Sequence, residues 1–223
     1  MSLSLVTPVG EIATQHPLAT RVFARHGIDF CCGGGKPLSE ACESTGADAQ
    51  KIIEELEKEI QGSPKDETRW DEAPLESLIE HILTTYHEPL KEELPRIGQM
   101  MEKVHRVHGD KDIALFDELL KVVGQVKFDM ENHLPKEEQV LFPAILNKMR
   151  HMLGGPISVM EAEHEELGEM LRRIRELTNN YVAPEGACNT WIALWAALEK
   201  LESDTHEHIH LENNILHKRA FNG

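Results

Sequence analysis

Two segments of this chain share one pattern of histidine, glutamate and apolar residues. His133 and Glu137 frame the first segment, His208 and Glu212 frame the second, and an apolar pair follows each glutamate at the same offset. Because an α-helix turns about 100° per residue, residues four apart lie about 40° apart on one face. Each segment therefore directs an imidazole and a carboxylate toward one point. Two such helices, with single histidines from two others, predict a site for a pair of metal ions in a bundle core.

Two further histidines lie in the middle of apolar stripes on other predicted helices. Leu90 flanks His87 at helical spacing, Met160 flanks His164, and Val140 is predicted to share the buried face of the first His-Glu pair. A polar group in such a stripe is costly unless it is paired or bound to a metal. A lone histidine on an apolar face is more often a satisfied core residue, but four helices that each bring one central histidine favour metal binding.

Residues 206–210 also match the H-E-x-x-H pattern of zinc proteases. In that pattern the outer histidines bind zinc and the glutamate is the general base. By ideal-helix arithmetic His206 and His210 fall about 160° to either side of His208, on the predicted polar face with Ser203. We therefore interpret the match as a solvated face and prefer His208 as the ligand.

A fifth histidine is available at either His105 or His108. Along an unbroken helix His108 stands about 31 Å from His87 at 1.5 Å per residue, so the two cannot meet unless the chain reverses between them. Pro95, or the turn at Gly109, could supply that break. Spacing alone leaves both His105 and His108 open as candidates.

Composition indicates a mostly helical protein of cytoplasmic type. The chain has 223 residues and a net charge of −16, which argues against nucleic acid and against acidic membrane surfaces as partners. Neither an apolar signal region at the start nor a run of 18 apolar residues is present, so we expect no membrane association. Strand patterns are nearly absent, while Leu, Glu, Lys and Ala dominate the periodic stretches.

The pattern along the chain predicts two parts. Residues 1–60 form a small helical domain with adjacent cysteines, residues 61–74 form a polar linker, and residues 75–223 form a bundle. In the bundle, four helical patterns are predicted at residues 75–107, 112–149, 157–179 and 186–217. Four helices of this length favour an up-down arrangement.

The cysteines are expected to be reduced thiols. Cys31 and Cys32 precede three glycines, and a disulfide between such neighbours is strained. The glycine run allows backbone N–H groups to turn toward a bound anion or thiolate, although a tight turn with two small buried residues explains the segment equally well. Cys42 and Cys188 are predicted to pack in the core.

These motifs together resemble a known family, the iron–sulfur cluster repair di-iron proteins, also called repair of iron centres proteins. The resemblance covers nearly the whole chain. It is carried by residues 23–34 (FARHGIDFCCGG), 86–87 (YH), 107–111 (VHGDK), 133–143 (HLPKEEQVLFP), 155–164 (GPISVMEAEH), 190–191 (TW) and 208–216. It implies an all-α fold, a hemerythrin-like up-down four-helix bundle preceded by a small helical N-terminal domain. It also selects His108 over His105 and implies the di-iron ligands His87, His108, His133, Glu137, His164, His208 and Glu212.

The resemblance further implies a cytoplasmic protein that repairs iron–sulfur clusters damaged by oxidative or nitrosative stress. Its cofactor is expected to be two iron ions in an oxo- and carboxylate-bridged di-iron centre, and its partners damaged iron–sulfur proteins and O2 or nitric oxide. A homodimer is compatible with the sequence. Iron donation is the leading hypothesis, with Cys31 and Cys32 as a thiol relay. The alternatives are a di-iron nitric oxide reductase and a hemerythrin-like module that binds or senses O2 or nitric oxide.

Two positions depart from the family pattern. Pro135 lies inside the first His-Glu segment, where it removes a backbone donor, and the sequence leaves open whether it kinks the helix and shifts the metal distances. His217 stands where the family continues with phenylalanine and proline, and we expect it to be exposed.

Overall fold

The computed structural model describes residues 3–61 and 68–222, and these ranges are helical apart from loops and an isolated β-bridge between Pro8 and Pro37. The chain divides into two compact units. The N-terminal unit consists of residues 1–80 with 206–223, and the central unit consists of residues 81–205. The N-terminal unit thus contains the last residues of the chain as well as the first, and the predicted domain boundaries at residues 60 and 75 stay a prediction. Most of the predicted linker, residues 62–67, lies outside the described residues.

The N-terminal unit begins with four short helices, α1 (Val9–Gln15), α2 (Ala19–Arg25), α3 (Leu38–Thr45) and α4 (Ala49–Gln61). Gly46 ends α3 in the left-handed region at φ 71°, where glycine has no Cβ penalty. Asp48 caps α4, because its Oδ1 accepts a hydrogen bond from the backbone N–H of Gln50 at 3.0 Å. Phe23, Leu38 and Leu56 are fully buried, so these helices enclose an apolar core.

The chain then passes through α5 (Leu75–Ile82) into four long helices, α6 (Glu88–His108), α7 (Ile113–Lys136), α9 (Gly154–Leu177) and α10 (Asn189–His210). The short helix α8 (Phe142–Leu146) lies between α7 and α9. All four predicted helical patterns are confirmed, with bounds that differ by a few residues. None of the helices in the described ranges combines the length and the apolar content needed to cross a bilayer.

In the central unit α6 packs against α7, and α7 packs against α9, in antiparallel pairs. His105 near the end of α6 contacts Asp117 near the start of α7 at 2.7 Å. At the opposite end Lys91 contacts Glu138 at 2.7 Å, just beyond α7. Antiparallel packing therefore brings the start of α6 and the end of α7 to one end of the unit.

Three π-helical turns interrupt these helices: π1 (Leu83–His87), π2 (Glu137–Leu141) and π3 (Leu211–Leu216), after which α11 (His217–Asn222) ends the chain. A π-helical turn bonds residue i to i+5 and so contains an extra residue, which rotates everything beyond it about the helix axis. Val140, predicted to be buried beside Glu137, is 57% exposed for this reason. The sequence arithmetic assumed regular α-helix and missed all three turns.

Candidate metal centre

Each π-helical turn coincides with a predicted metal ligand. His87 is the last residue of π1, Glu137 is the first residue of π2, and Glu212 is the second residue of π3. All three side chains are completely buried. Because π-helical turns in proteins concentrate at functional sites, these three mark where the backbone departs from α-helix to aim a ligand.

In the central unit the carboxylate of Glu137 lies between three imidazoles. Its Oε2 is 3.2 Å from Nε2 of His133 and 3.5 Å from Nε2 of His87, and its Oε1 is 3.8 Å from Nε2 of His164. Neither oxygen accepts a hydrogen bond from any residue that the structure describes. A buried carboxylate in this state costs several kcal/mol, of order 3–5, unless a cation compensates it.

The spacing of these donors fits a metal ion. Nε2 of His133 and Nε2 of His164 are 3.0 Å apart. Two donors bound at about 2.1 Å and at right angles stand about 3.0 Å apart. The ligand atoms of His133, Glu137 and His164 all lie within 4.8 Å of one another. We conclude that this buried group of histidines and a glutamate belongs to a metal centre.

Two outer carboxylates orient the imidazoles of this cluster. Nδ1–H of His87 donates to Glu138 at 3.0 Å, and Nδ1–H of His133 donates to Glu163 at 2.8 Å. With Nδ1 protonated, Nε2 of each neutral ring carries the lone pair, and both Nε2 atoms face Glu137. A metal-ligating histidine characteristically donates its other N–H to a carboxylate in this way.

A lysine supports each outer carboxylate. Lys91 pairs with Glu138 at 2.7 Å, and Lys136 pairs with Glu163. Burial raises the pKa of both carboxyl groups, but the hydrogen bonds from the lysine and the histidine outweigh it and hold both pKa values below the ordinary range. Both groups are therefore carboxylates at neutral pH. Sequence reasoning missed them, although each stands directly beside a predicted ligand, Glu138 after Glu137 and Glu163 before His164.

The second His-Glu segment forms a pair within the N-terminal unit. Nε2 of His208 lies 3.0 Å from Oε1 of Glu212, and both side chains are buried. The pair repeats the geometry of His133 and Glu137, which are 3.2 Å apart despite Pro135 between them. α7 continues through Pro135 to Lys136, and π2 begins at the next residue.

The structure places His108 away from the cluster around Glu137, although the resemblance implies it as a ligand. α6 runs without a break from Glu88 to His108 and contains Pro95, so it carries His108 about 31 Å along its axis from His87. There Nε2 of His108 lies 3.1 Å from Sγ of Cys188, and its ring packs on Trp191 with centroids 5.0 Å apart. Among the described residues, His108 shares no group of candidate ligands.

Three expectations about exposure are wrong. His210 was predicted on a polar face and His217 was expected to be exposed, yet both are buried, and Cys188, predicted in the core, is exposed. The ring of His210 packs edge-on against Phe30 with centroids 5.6 Å apart. Phe30 thus covers His210 at the end of α10, and helical periodicity alone cannot predict a contact with a segment remote in sequence. Cys42 is buried as predicted.

The adjacent cysteines lie in a loop of the N-terminal unit. Sγ of Cys31 is 3.9 Å from Sγ of Cys32 and 3.3 Å from Oδ1 of Asp29. The hydrogen bond with Cys32, burial and the charge of Asp29 raise the pKa of Cys31 well above its ordinary value. Nδ2 of Asn214, in π3, donates to the backbone oxygens of Phe30 and Cys31 at 3.1 and 3.0 Å. Asp29 and Asn214 were not recognised from the sequence.

The comparisons with known proteins agree with this geometry. Residues 78–220 match the family described as the hemerythrin HHE cation binding domain, and residues 5–60 match a domain of unknown function, DUF542. The chain is 41% identical over 215 residues to the iron-sulfur cluster repair protein YtfE of Yersinia pseudotuberculosis serotype O:1b (strain IP 31758), covering 96% of both chains. It is equally similar to the iron-sulfur cluster repair protein YtfE of Yersinia pestis (strain Pestoides F), with the same coverage. The chain therefore belongs to the hemerythrin-like family of iron–sulfur cluster repair proteins.

Proposed function

We propose that this protein repairs damaged iron–sulfur clusters by donating iron from a di-iron centre. The observation that carries the proposal is the buried Glu137 carboxylate, which accepts no hydrogen bond from the described residues while three imidazole nitrogens face it. The names of the similar proteins from Yersinia support the choice of iron–sulfur clusters as the target.

The proposed centre has six ligands: His87, His133, Glu137, His164, His208 and Glu212. His208 and Glu212 of the N-terminal unit are included because they repeat the His-x3-Glu pattern, lie 3.0 Å apart and are buried. Four imidazoles and two bridging carboxylates fill at most about eight of the twelve positions of two octahedra. Iron, when bound, supplies a change of oxidation state and exchangeable coordination positions.

The residues of the centre favour release of iron toward a damaged cluster. Imidazole and carboxylate donors suit iron, whereas the thiolates of an empty cluster site bind it as softer ligands. Glu138 and Glu163 keep the lone pairs of His87 and His133 directed inward, so iron enters and leaves without a change of tautomer. The direction of transfer thus follows from the difference between the two ligand sets.

The proposal is tested by loading the protein with isotopically labelled iron and mixing it with a dehydratase whose four-iron cluster has been damaged by nitric oxide. We expect the label in the repaired cluster by Mössbauer spectroscopy. The His164→Ala variant is expected to transfer little label, while Glu131→Gln, at a surface pair with Lys127, is expected to transfer as much as the parent protein. Repair without label in the cluster contradicts iron donation. Formation of nitrous oxide by the reduced protein without label transfer favours the reductase alternative.

A further inference from the structure

The loop of Asp29, Cys31 and Cys32 brings two sulfurs and a carboxylate together outside the histidine cluster. One donor atom from each of the three residues lies within 4.8 Å of the others. Cys31 is buried, Cys32 is partly buried and Asp29 is exposed, so the group opens toward solvent on the carboxylate side. Its donor set is soft, unlike the imidazole and carboxylate donors of the central unit.

The distances in this loop match those of a tetrahedral metal site. Two thiolates bound at about 2.3 Å with a tetrahedral angle stand about 3.8 Å apart. The two sulfurs are 3.9 Å apart. A thiolate and a carboxylate oxygen on the same ion stand about 3.6 Å apart, and Sγ of Cys31 is 3.3 Å from Oδ1 of Asp29. A disulfide instead requires the sulfurs to approach to about 2.05 Å.

Backbone and side-chain hydrogen bonds hold the loop in this arrangement. The backbone N–H groups of Cys31 and Cys32 donate to Oδ1 of Asp29 at 3.1 and 3.0 Å, which orients the carboxylate. Asn214 binds the backbone oxygen of Cys31 from the other side. A Cβ on Gly34 would lie 2.6 Å from Oδ1 of Asn214 and 2.8 Å from the backbone oxygen of Phe30, so a larger residue would force these segments to shift.

We propose that Asp29, Cys31 and Cys32 form a second metal site, for a thiophilic divalent cation such as Fe²⁺ or Zn²⁺. The three residues supply three ligands, and an exogenous ligand such as water takes the fourth position. Both thiols lose their protons to solvent as the cation binds. A tetrahedral site with one open position exchanges its ion and its fourth ligand, unlike a closed four-cysteine site that serves only structure. This site is independent of the di-iron proposal and stands or falls on its own.

The test is a titration of the reduced, metal-free, full-length protein with Co²⁺ under anaerobic conditions. Thiolate binding produces an intense sulfur-to-cobalt charge-transfer band, which imidazole and carboxylate ligands do not produce, so the band separates thiolate ligation from metal binding in the bundle. We expect the band to saturate when one Co²⁺ per chain is bound by thiolates, in addition to any Co²⁺ bound by the bundle, and Zn²⁺ to abolish it. Absence of the band at saturating Co²⁺ overturns the proposal.

Matched variants assign the band to residues. We expect Cys31→Ser and Cys32→Ser each to remove it, and Cys42→Ser and Cys188→Ser to leave it unchanged. If the band survives in the Cys31→Ser, Cys32→Ser double variant, other cysteines bind the Co²⁺ and the proposal is overturned. Circular dichroism of the same variants verifies that they are folded.

The preorganisation of the loop is tested with two neighbouring glycines. Gly34→Ala places a Cβ 2.6 Å from Asn214 and is expected to weaken Co²⁺ binding at the thiols at least tenfold. Gly35→Ala is the control, because a Cβ there meets no heavy atom within 4 Å among the described residues. If Gly34→Ala and Gly35→Ala bind Co²⁺ with the same affinity, whether or not that affinity is below that of the parent protein, the preformed site is contradicted.

Discussion

Replacing Glu163 with glutamine tests whether the outer carboxylates control the metal centre. The carboxylate accepts Nδ1–H of His133 at 2.8 Å and pairs with Lys136. Glutamine has nearly the same shape and keeps an acceptor oxygen, but it removes the negative charge that favours the metal-bound imidazole. Glu138→Gln is the equivalent change at His87, where the distance is 3.0 Å.

The expected magnitude follows from the strength of this hydrogen bond. A hydrogen bond to a charged group contributes about 1.5–3 kcal/mol and a neutral one about 0.5–1.5 kcal/mol. The difference of about 1.4 kcal/mol corresponds to about tenfold in iron affinity, at the lower end of the 10- to 100-fold range for such partners. With the two contributions taken as additive, the double variant is expected to lose about 100-fold.

The assay is competition for iron with a chromophoric chelator at neutral pH, with circular dichroism to verify the fold. Glu131→Gln is the matched control, because it removes an equal charge from α7 at an exposed pair with Lys127. If Glu163→Gln and Glu131→Gln retain iron equally well, the outer carboxylates do not tune the histidines and the reasoning is refuted. If the double variant binds iron no more weakly than either single variant, Glu138 and Glu163 do not act independently.

Three further predictions concern other buried groups. Burial lowers the pKa of His210 to about 4 from 6.5, so its contribution to stability is present above pH 6.5 and is lost as pH falls toward 4. Urea unfolding of the metal-free protein should therefore show a free energy of unfolding that is about 2 kcal/mol lower at pH 5 than at pH 7. The His210→Gln variant should not show this loss. Tyr181→Phe removes the hydrogen bond to buried Glu202 at 3.0 Å and should lower the free energy of unfolding by about 1–2 kcal/mol, a value that unchanged urea midpoints would contradict. His108→Ala should leave the iron content unchanged, whereas His164→Ala should reduce it; loss of iron in both restores His108 as a ligand.

Local patterning predicted the helices and most of the site because it depends on spacing within one helix. His133 and Glu137 remain together whether or not π2 follows, since both lie on the same turn. The burial of His87, His164 and His208 followed from their places within apolar stripes. These features need only the geometry of a helix with one buried face.

The errors arose where distant segments decide the environment. Val140 is exposed because π2 adds a residue to its turn, and the sequence carries no simple signal for that extra residue. His210 is buried because Phe30, 180 positions earlier in the chain, covers it. The resemblance implies His108 as a ligand, and the unbroken α6 places it at the far end of the helix from His87.

By itself the sequence determined which residues are capable of binding metal, because the residue types and the four-residue spacing are local properties of a helix. Only the tertiary structure decided which of them meet, which carboxylates orient them, and how Asn214 holds the loop of Cys31 and Cys32. The physical reason is that a metal site depends on distances of about 3 Å between side chains remote in sequence. Antiparallel packing and π-helical turns set those distances, and neither follows from periodicity alone.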